Sequence, residues 1–206
     1  MVLTEQTVAT FLAAIRSSNP TPGGGSASAL AGAMGASLLA MVAGLPKSKA
    51  ATAEDAERLN AAGNRCAAIA SELETLVDRD SDAYNQVLAA YKLPKATDQE
   101  RTARSAAIQA GFRAAIAAPL AVMRACAAAA EQGVVIATLG LASASSDVQV
   151  GIELLNAALR GAKLNVETNL GSMKDAEYLA KVRSDLEEFE HAIAHETSAA
   201  RERAGG

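Results

Sequence analysis

Asn19-Pro-Thr-Pro-Gly-Gly-Gly-Ser26 opens an uncharged run that ends only at Leu45-Pro46, and no charged residue occurs between Arg16 and Lys47. Two prolines and three consecutive glycines exclude a helix interior up to Gly25. Beyond that point small and apolar residues recur at helical spacing. Leu30, Met34, Leu38, Met41, Val42 and Leu45 fall on one side, and Ser28, Gly32 and Gly35 or Ala36 on another. The stretch predicts a strained loop opening directly into a helix of roughly 30 Å, at about 1.5 Å per residue. Glycine inside a helix costs about 1 kcal/mol relative to alanine, so Gly32 and Gly35 call for the close approach of another backbone. The helix start carries free N–H groups, and Gly23, Gly24 and Gly25 have no Cβ to obstruct them. Gly23 to Ser26 are therefore a candidate site for a carboxylate, a phosphate or a carbonyl oxygen. A buried helix behind an ordinary turn would look the same in sequence. A P-loop is excluded, because no Lys stands at the helix start.

With 206 residues the chain is long enough for one domain that buries roughly 70% of its unfolded surface. Half the residues are hydrophobic, yet only 3% are aromatic and there is no Trp. A core of Ala and Leu with little β-branched or aromatic mass favours close-packed helices over sheets. The net charge of −4 disfavours nucleic acid, whose phosphates need clustered Lys and Arg. The run from 26 to 45 is long enough to span a membrane. Gly, Ala and Ser dilute it, however, and no membrane association is expected. Cys66 and Cys126 lie in apolar helical contexts and read as two reduced core thiols. Met1-Val-Leu-Thr-Glu5 lacks the basic region of a signal peptide, so a cytoplasmic location is expected.

Residues 4–17 place Val8, Phe11, Leu12 and Ile15 on one helical face, and Asn19-Pro20 ends that helix. Residues 52–92 read as one helix of about 40 residues, with Leu59, Cys66, Ile69, Leu73 and Leu76 as a buried stripe. Leu93-Pro94 stops it. Thr97-Asp-Gln-Glu100 is a capping box that starts a helix running to about Gln132, with a kink expected before Pro119. Residues 133–145 read as either a short buried helix or an extended linker. Ser146-Asp-Val-Gln149 reads as a second capping box opening a helix to about Asn169, and a charged helix follows over 174–203. The expectation is all-α: a single domain over 1–206, with six or seven helices including one long one.

The densest chemistry lies in Asp78-Arg-Asp80-Ser-Asp82-Ala-Tyr84. At about 100° per residue Asp80, Tyr84, Leu88 and Tyr91 share one face. A carboxylate beside tyrosines and apolar side chains loses solvation. Its pKa should rise toward a value useful for proton transfer; a solvated acidic turn is the competing reading. His191 and His195 are spaced to face one metal ion but read as surface residues, and no metal site is expected. Asp147 suits the dipole of a helix start as well as it suits chemistry. Asn165 and Asn169 suit either a ligand or solvent.

Several of these stretches occur together in one order: Pro20-Thr-Pro-Gly-Gly-Gly-Ser26 with its Leu-Ala-Gly-Ala-Met-Gly-Ala run, Asp80-Ser-Asp-Ala-Tyr84, Ala90-Tyr-Lys-Leu-Pro-Lys95, Ser146-Asp147, and Asn165-Val-Glu-Thr-Asn169. Taken together, they resemble the cyclodeaminase/cyclohydrolase family. That family comprises the C-terminal domain of formiminotransferase-cyclodeaminase and the stand-alone bacterial methenyltetrahydrofolate cyclohydrolases. The resemblance covers nearly the whole chain. It implies an all-helical homodimer that binds a reduced folate in a cleft at or near the subunit interface. One departure stands out: where the family has Gly-Asn shortly before the Ser-Asp pair, this chain has Gly140-Leu141.

The two family reactions both act on the one-carbon unit between N5 and N10 of tetrahydrofolate. One opens the methenyl bridge with water to 10-formyltetrahydrofolate; the other closes 5-formiminotetrahydrofolate and expels ammonia. Neither needs a metal or redox cofactor. On this resemblance Asp80 is the expected catalytic carboxylate, with Tyr84 positioning the water or the leaving amine. The Gly23, Gly24, Gly25 and Ser26 amides would hold the pterin oxygen or the glutamate carboxylate, Lys95 would pair with the glutamate tail, and Asp147 and Asn165 would contact the pterin. A chain of this length without a formiminotransferase half points to the cyclohydrolase, with the cyclodeaminase as the alternative. The Leu141 departure keeps open a third reading, a non-catalytic folate-binding dimer.

Overall fold

The computed structural model describes residues 2–205 and is all-helical. A 3-10 turn at Leu3–Glu5 precedes α1 (Val8–Ile15), α2 (Gly24–Ala43), α3 (Ala53–Tyr91) and α4 (Asp98–Leu139). A second 3-10 turn at Ala142–Ala144 leads into α5 (Ser145–Leu170), and α6 (Ala176–Gly205) closes the chain. Each long helix begins or ends where local chemistry requires it. Thr52 caps α3 by accepting from the Asp55 N–H at 3.0 Å, with Glu54 and Asp55 complementing the dipole in the first turn. Thr97 and Glu100 form the expected capping box on α4.

α2 is the axis of the bundle, packing against α3, α4 and α5. It runs antiparallel to α3: Ser26 meets Asp80 at one end, and Ala43 meets Gly63 at the other. It also runs antiparallel to α5, with Gly24 beside Asn165 and Gly35 against Gly151. The α2–α5 crossing explains the helix glycines. A Cβ on Gly35 would stand 2.7 Å from the Gly151 carbonyl oxygen, and one on Gly151 would stand 3.0 Å from the Gly35 carbonyl oxygen. Two backbones therefore touch where any side chain would separate them. The G35A variant should lower stability by about 1–3 kcal/mol despite alanine's better helix propensity, because overpacking at a backbone contact outweighs about 1 kcal/mol of propensity. Thermal unfolding reads this directly; an unchanged or raised Tm would contradict the crossing.

The buried side of α2 is the small one. Ser28, Gly32, Gly35 and Ala36 are buried, whereas Met34 and Met41 are 47% and 44% exposed, and Leu30, Leu38 and Leu45 are half-buried. Met34 and Met41 thus face outward in an uncharged stripe flanked by Leu30 and Leu38, while Leu39 and Val42 turn inward with the small residues. On α5, Val150, Leu154, Ala157 and Leu164 recur at helical spacing, and each is exposed or half-buried. Both α2 and α4 are long and apolar enough to cross a bilayer. Each also buries a face on protein: Leu39 and Val42 of α2, and Ile116, Met123 and Ile136 of α4, are fully buried.

Several sequence expectations need correction. The first helix is shorter than 4–17, because Thr7 caps at Val8 by accepting from the Thr10 N–H. Of its predicted apolar face only Phe11 is buried; Val8 and Leu12 are 77% and 52% exposed. The ambiguous segment 133–145 is mostly α4, which continues through Gly133 to Leu139. Ile152 Cδ1 lies 2.6 Å from where a Cβ on Gly133 would stand, so a glycine keeps the helices close here. Pro119 lies inside this continuous helix. Ser146 does not cap α5. The helix starts two residues earlier, at Ser145, with Ala144 at the cap position and no side-chain cap, because the Ala142–Ala144 turn feeds straight into it. The α3 stripe of Leu59, Cys66, Ile69, Leu73 and Leu76 is buried as expected. Cys66 and Cys126 are free and buried, and burial pushes both thiols up to about 12.

Candidate active site

The glycine-opened end of α2 is occupied by a carboxylate of the protein's own. Ser26 donates its backbone N–H to Asp80 Oδ2 at 2.9 Å, and its hydroxyl lies 3.2 Å from the same oxygen. That hydroxyl also lies 2.8 Å from the Val77 carbonyl oxygen and 3.1 Å from Ser81 Oγ. Ser26 is fully buried and Ser81 nearly so. A Cβ on Gly25 would overlap Asp80 Oδ1. Glycine is needed at this position for space rather than for its dihedral freedom: no glycine has positive φ among the described residues, and Gly23 lies in the extended region at φ −126°. The predicted strain in this loop is therefore absent at the glycines. The amide N–H groups of Gly24 and Gly25 have no acceptor among the described residues. They remain open as two orphan donors of the helix start.

Asp80 has its pKa raised above the usual 3.8. Loss of solvent around the carboxylate is the dominant cause, and the two hydrogen bonds from Ser26 oppose it. The expected elevation thus occurs, but Ser26 rather than Tyr84 is the hydrogen-bonding neighbour. A carboxyl whose folded pKa lies above its unfolded value costs the fold stability when it ionises. The cost is absent below 3.8 and grows as pH rises through the window up to the folded pKa. The D80N variant should therefore gain on the wild type in Tm between acid and neutral pH. A wild type that gained on D80N as pH rose would contradict the desolvated carboxylate.

Asn165 approaches from α5. Its side chain lies 3.4 Å from where a Cβ on Gly24 would be, and its Nδ2 donates to the Gly161 carbonyl at 2.8 Å. Asn169 ties α5 to α4 by donating to the Ala115 carbonyl at 3.2 Å, a structural use. Gly23 to Ser26, Asp80 and Asn165 therefore meet at one end of the bundle.

The other expected residues lie outside this cluster. Tyr84 is one turn beyond Asp80 and 43% exposed, with no hydrogen bond to it. Lys95 lines a cleft of about 610 Å³ where the end of α3, the start of α4 and the α5–α6 loop meet. Arg104 and Lys174 line it too, neither paired with a carboxylate among the described residues, and Arg104 stacks over the Tyr91 ring. Asp147 sits in the first turn of α5, eighteen residues from Asn165, or about 27 Å along the helix. Within one chain Asp147 cannot join Asp80. Leu141 lies at that same remote end. His191 and His195 are exposed, and no group of three metal-ligating side chains forms among the described residues.

Sequence reading missed Ser81 and the Val77 carbonyl. The signal was present: Leu73, Val77 and Ser81 continue the buried stripe of α3 at four-residue spacing, so Ser81 falls inside the core-facing side.

Comparison with known proteins converges on one family. Residues 7–188 match the family model described as formiminotransferase-cyclodeaminase. The methenyltetrahydrofolate cyclohydrolase of Methylorubrum extorquens is 36% identical over 182 residues, which is 88% of each chain. The formimidoyltransferase-cyclodeaminase of Sus scrofa is 34% identical over 181 residues; the match spans 86% of this chain but only 33% of that enzyme. The crystal structure of formiminotetrahydrofolate cyclodeaminase from Thermotoga maritima has the same fold, with a TM-score of 0.87 and 24% identity over 99% of this chain and 98% of that one. With the family model matching most of its length and relatives above 30% identity, the chain belongs to the formiminotransferase-cyclodeaminase family.

Proposed function

We propose that this protein hydrolyses 5,10-methenyltetrahydrofolate to 10-formyltetrahydrofolate, with Asp80 as its acid–base group. The observation that carries the reading is the desolvated Asp80 carboxyl, held by Ser26 where two unpaired helix-start amides also point. The near full-length match to a cyclohydrolase supports it. The methenyl bridge is a cationic amidine carbon, and an adjacent carboxylate stabilises that charge more strongly in a dry cleft than in water. Asp80 takes one proton as water adds to the bridge carbon, giving a neutral tetrahedral carbinolamine. The C–N5 bond then breaks while Asp80 returns the proton to N5. The carbinol O–H proton leaves to solvent as the formyl carbonyl forms. None of these steps calls on a metal or redox cofactor.

The remaining roles follow from position. The open Gly24 and Gly25 amides, with the Gly23 segment, hold a pterin oxygen, and Asn165 adds an amide contact. The Ser26 amide is already taken by Asp80. Tyr84, one turn away, positions the water. Tyr91 lies about 16 Å along α3 from Asp80, and its ring opens the cleft that holds Lys95, Arg104 and Lys174. That cationic cleft takes the glutamate tail. The uncharged stripes of α2 and α5 form a homodimer face. A two-fold axis near the middle of these stripes carries the partner's α5 start toward Asp80, which gives Asp147 its place in the site. The protein acts in the cytoplasm on a soluble reduced folate.

The relatives named formimidoyltransferase-cyclodeaminase favour a second reading, closure of 5-formiminotetrahydrofolate with ammonia release. One assay separates the two. Offered methenyltetrahydrofolate, a cyclohydrolase makes the methenyl absorbance fall. Offered formiminotetrahydrofolate, a cyclodeaminase makes it rise as ammonia appears. Tight folate binding with neither change would leave a binding protein.

A further inference from the structure

The Ser26 hydroxyl has one proton and two acceptors that compete for it: the Val77 carbonyl at 2.8 Å and Asp80 Oδ2 at 3.2 Å. Ser81 Oγ lies 3.1 Å away, and in that contact either hydroxyl can donate; whenever the Ser26 proton points to Asp80 or Val77, Ser81 is the donor. We propose that Ser26 is a positioning residue whose hydroxyl proton swings between Asp80 and the Val77 carbonyl as Asp80 loses and gains its proton. This rests on the reading of Asp80 as the acid–base group.

Bond counting favours the swing. With Asp80 ionised, Ser26 donates both its N–H and its O–H to Oδ2 and accepts from Ser81. Val77 keeps the helical hydrogen bond of its own turn. Oδ1, which takes no hydrogen bond among the described residues, is then the basic oxygen. When Oδ1 takes a proton from water, Oδ2 becomes part of a neutral acid and a much weaker acceptor. The Ser26 proton then moves to Val77, the shorter of the two contacts, while the N–H stays on Oδ2. In each state the Ser26 hydroxyl keeps an acceptor and Oδ2 keeps the Ser26 N–H, so the buried serine is never an orphaned donor on either side of the proton transfer. A fully buried serine with three oxygens around it is thereby explained without a substrate contact.

The charges around Asp80 do not supply the same support. Asp78, Arg79 and Asp82 flank it on α3, Lys163 and Glu167 flank Asn165 on α5, and α2 contributes no charged residue. Lys163 is committed to Glu190 and Glu167. Ser26 is the one group hydrogen-bonded to this carboxyl among the described residues.

The test is a carbon-detected NMR titration of the Asp80 carboxyl, assigned from the signal missing in D80N, run beside the pH dependence of kcat. In S26A the carboxyl should titrate at higher pH than in the wild type, because the ionised form loses a donor. The acid limb of kcat should move upward with it, and kcat on its plateau should fall about tenfold. S26T, which restores a hydroxyl, should move the titration back toward wild type. S81A, which removes a partner of Ser26 but none of Asp80, should leave it near wild type. An unmoved carboxyl titration in S26A would overturn the proposal whatever happens to turnover. A carboxyl that moves while the acid limb stays put would instead overturn Asp80 as the base.

Discussion

The D80N variant is expected to lose between about 10² and 10⁴ of its turnover on methenyltetrahydrofolate, the usual span for removing a positioned acid–base group. The substitution keeps the shape of the side chain and leaves an oxygen for the Ser26 N–H to donate to, so the helix contact survives. The charge is what disappears. Because ionising Asp80 carries a desolvation cost, its removal should leave Tm at neutral pH unchanged or higher. Lower activity with equal or better stability is the pattern of a group kept for chemistry. It is checked by following the methenyl absorbance and thermal unfolding on the same preparations. Near wild-type turnover would remove Asp80 from the mechanism.

The second large effect is expected from one methyl group. In G25A the new Cβ would overlap the Asp80 carboxylate, the least movable neighbour at that point because Ser26 grips it twice. Either the carboxylate leaves Ser26 or the start of α2 moves off α3. Turnover should fall as far as in D80N. Overpacking of about 1–3 kcal/mol should also exceed the roughly 1 kcal/mol gained in helix propensity, so Tm should drop as well. G24A is the control for packing: its Cβ would meet the Asn165 side chain at 3.4 Å, an ordinary contact, and should change Tm little. Equal losses of Tm in G24A and G25A would mean that glycine matters here for the loop rather than for Asp80.

Much of this was legible in the chain itself. The long α3, the capped start of α4 and the glycine-opened α2 follow from periodicity and from Pro, Gly and Thr at element ends. These are local signals, and local chemistry decides them. The inward side of α2 was only half legible: Gly32 and Gly35 called for a close backbone, while the apolar pattern called for the other side. Hydrophobicity points to Leu30, Met34 and Met41, yet the buried side is Ser28, Gly32 and Gly35. Backbone proximity to α3 and α5 wins there, and proximity is a property of the assembled bundle. The same limit applied at the site. Asp80 stood out as a carboxylate on a buried-looking turn, but Ser26, fifty-four residues earlier, is revealed as its partner only by the antiparallel packing of α2 on α3. Asp147 shows the opposite case: its motif context suggested the site, and the length of α5 places it at the far end of the bundle.

The central claim is that the one-carbon bridge of a reduced folate sits against Asp80 at the start of α2. A crystal structure of the D80N variant with 5,10-methenyltetrahydrofolate trapped by the slowed reaction tests it most directly. The bridge carbon should lie beside residue 80, the pterin against the Gly24 and Gly25 amides, and the glutamate end toward Lys95 and Arg104. A folate bound with its bridge in another cleft, away from residue 80 in both subunits of any dimer, would contradict it.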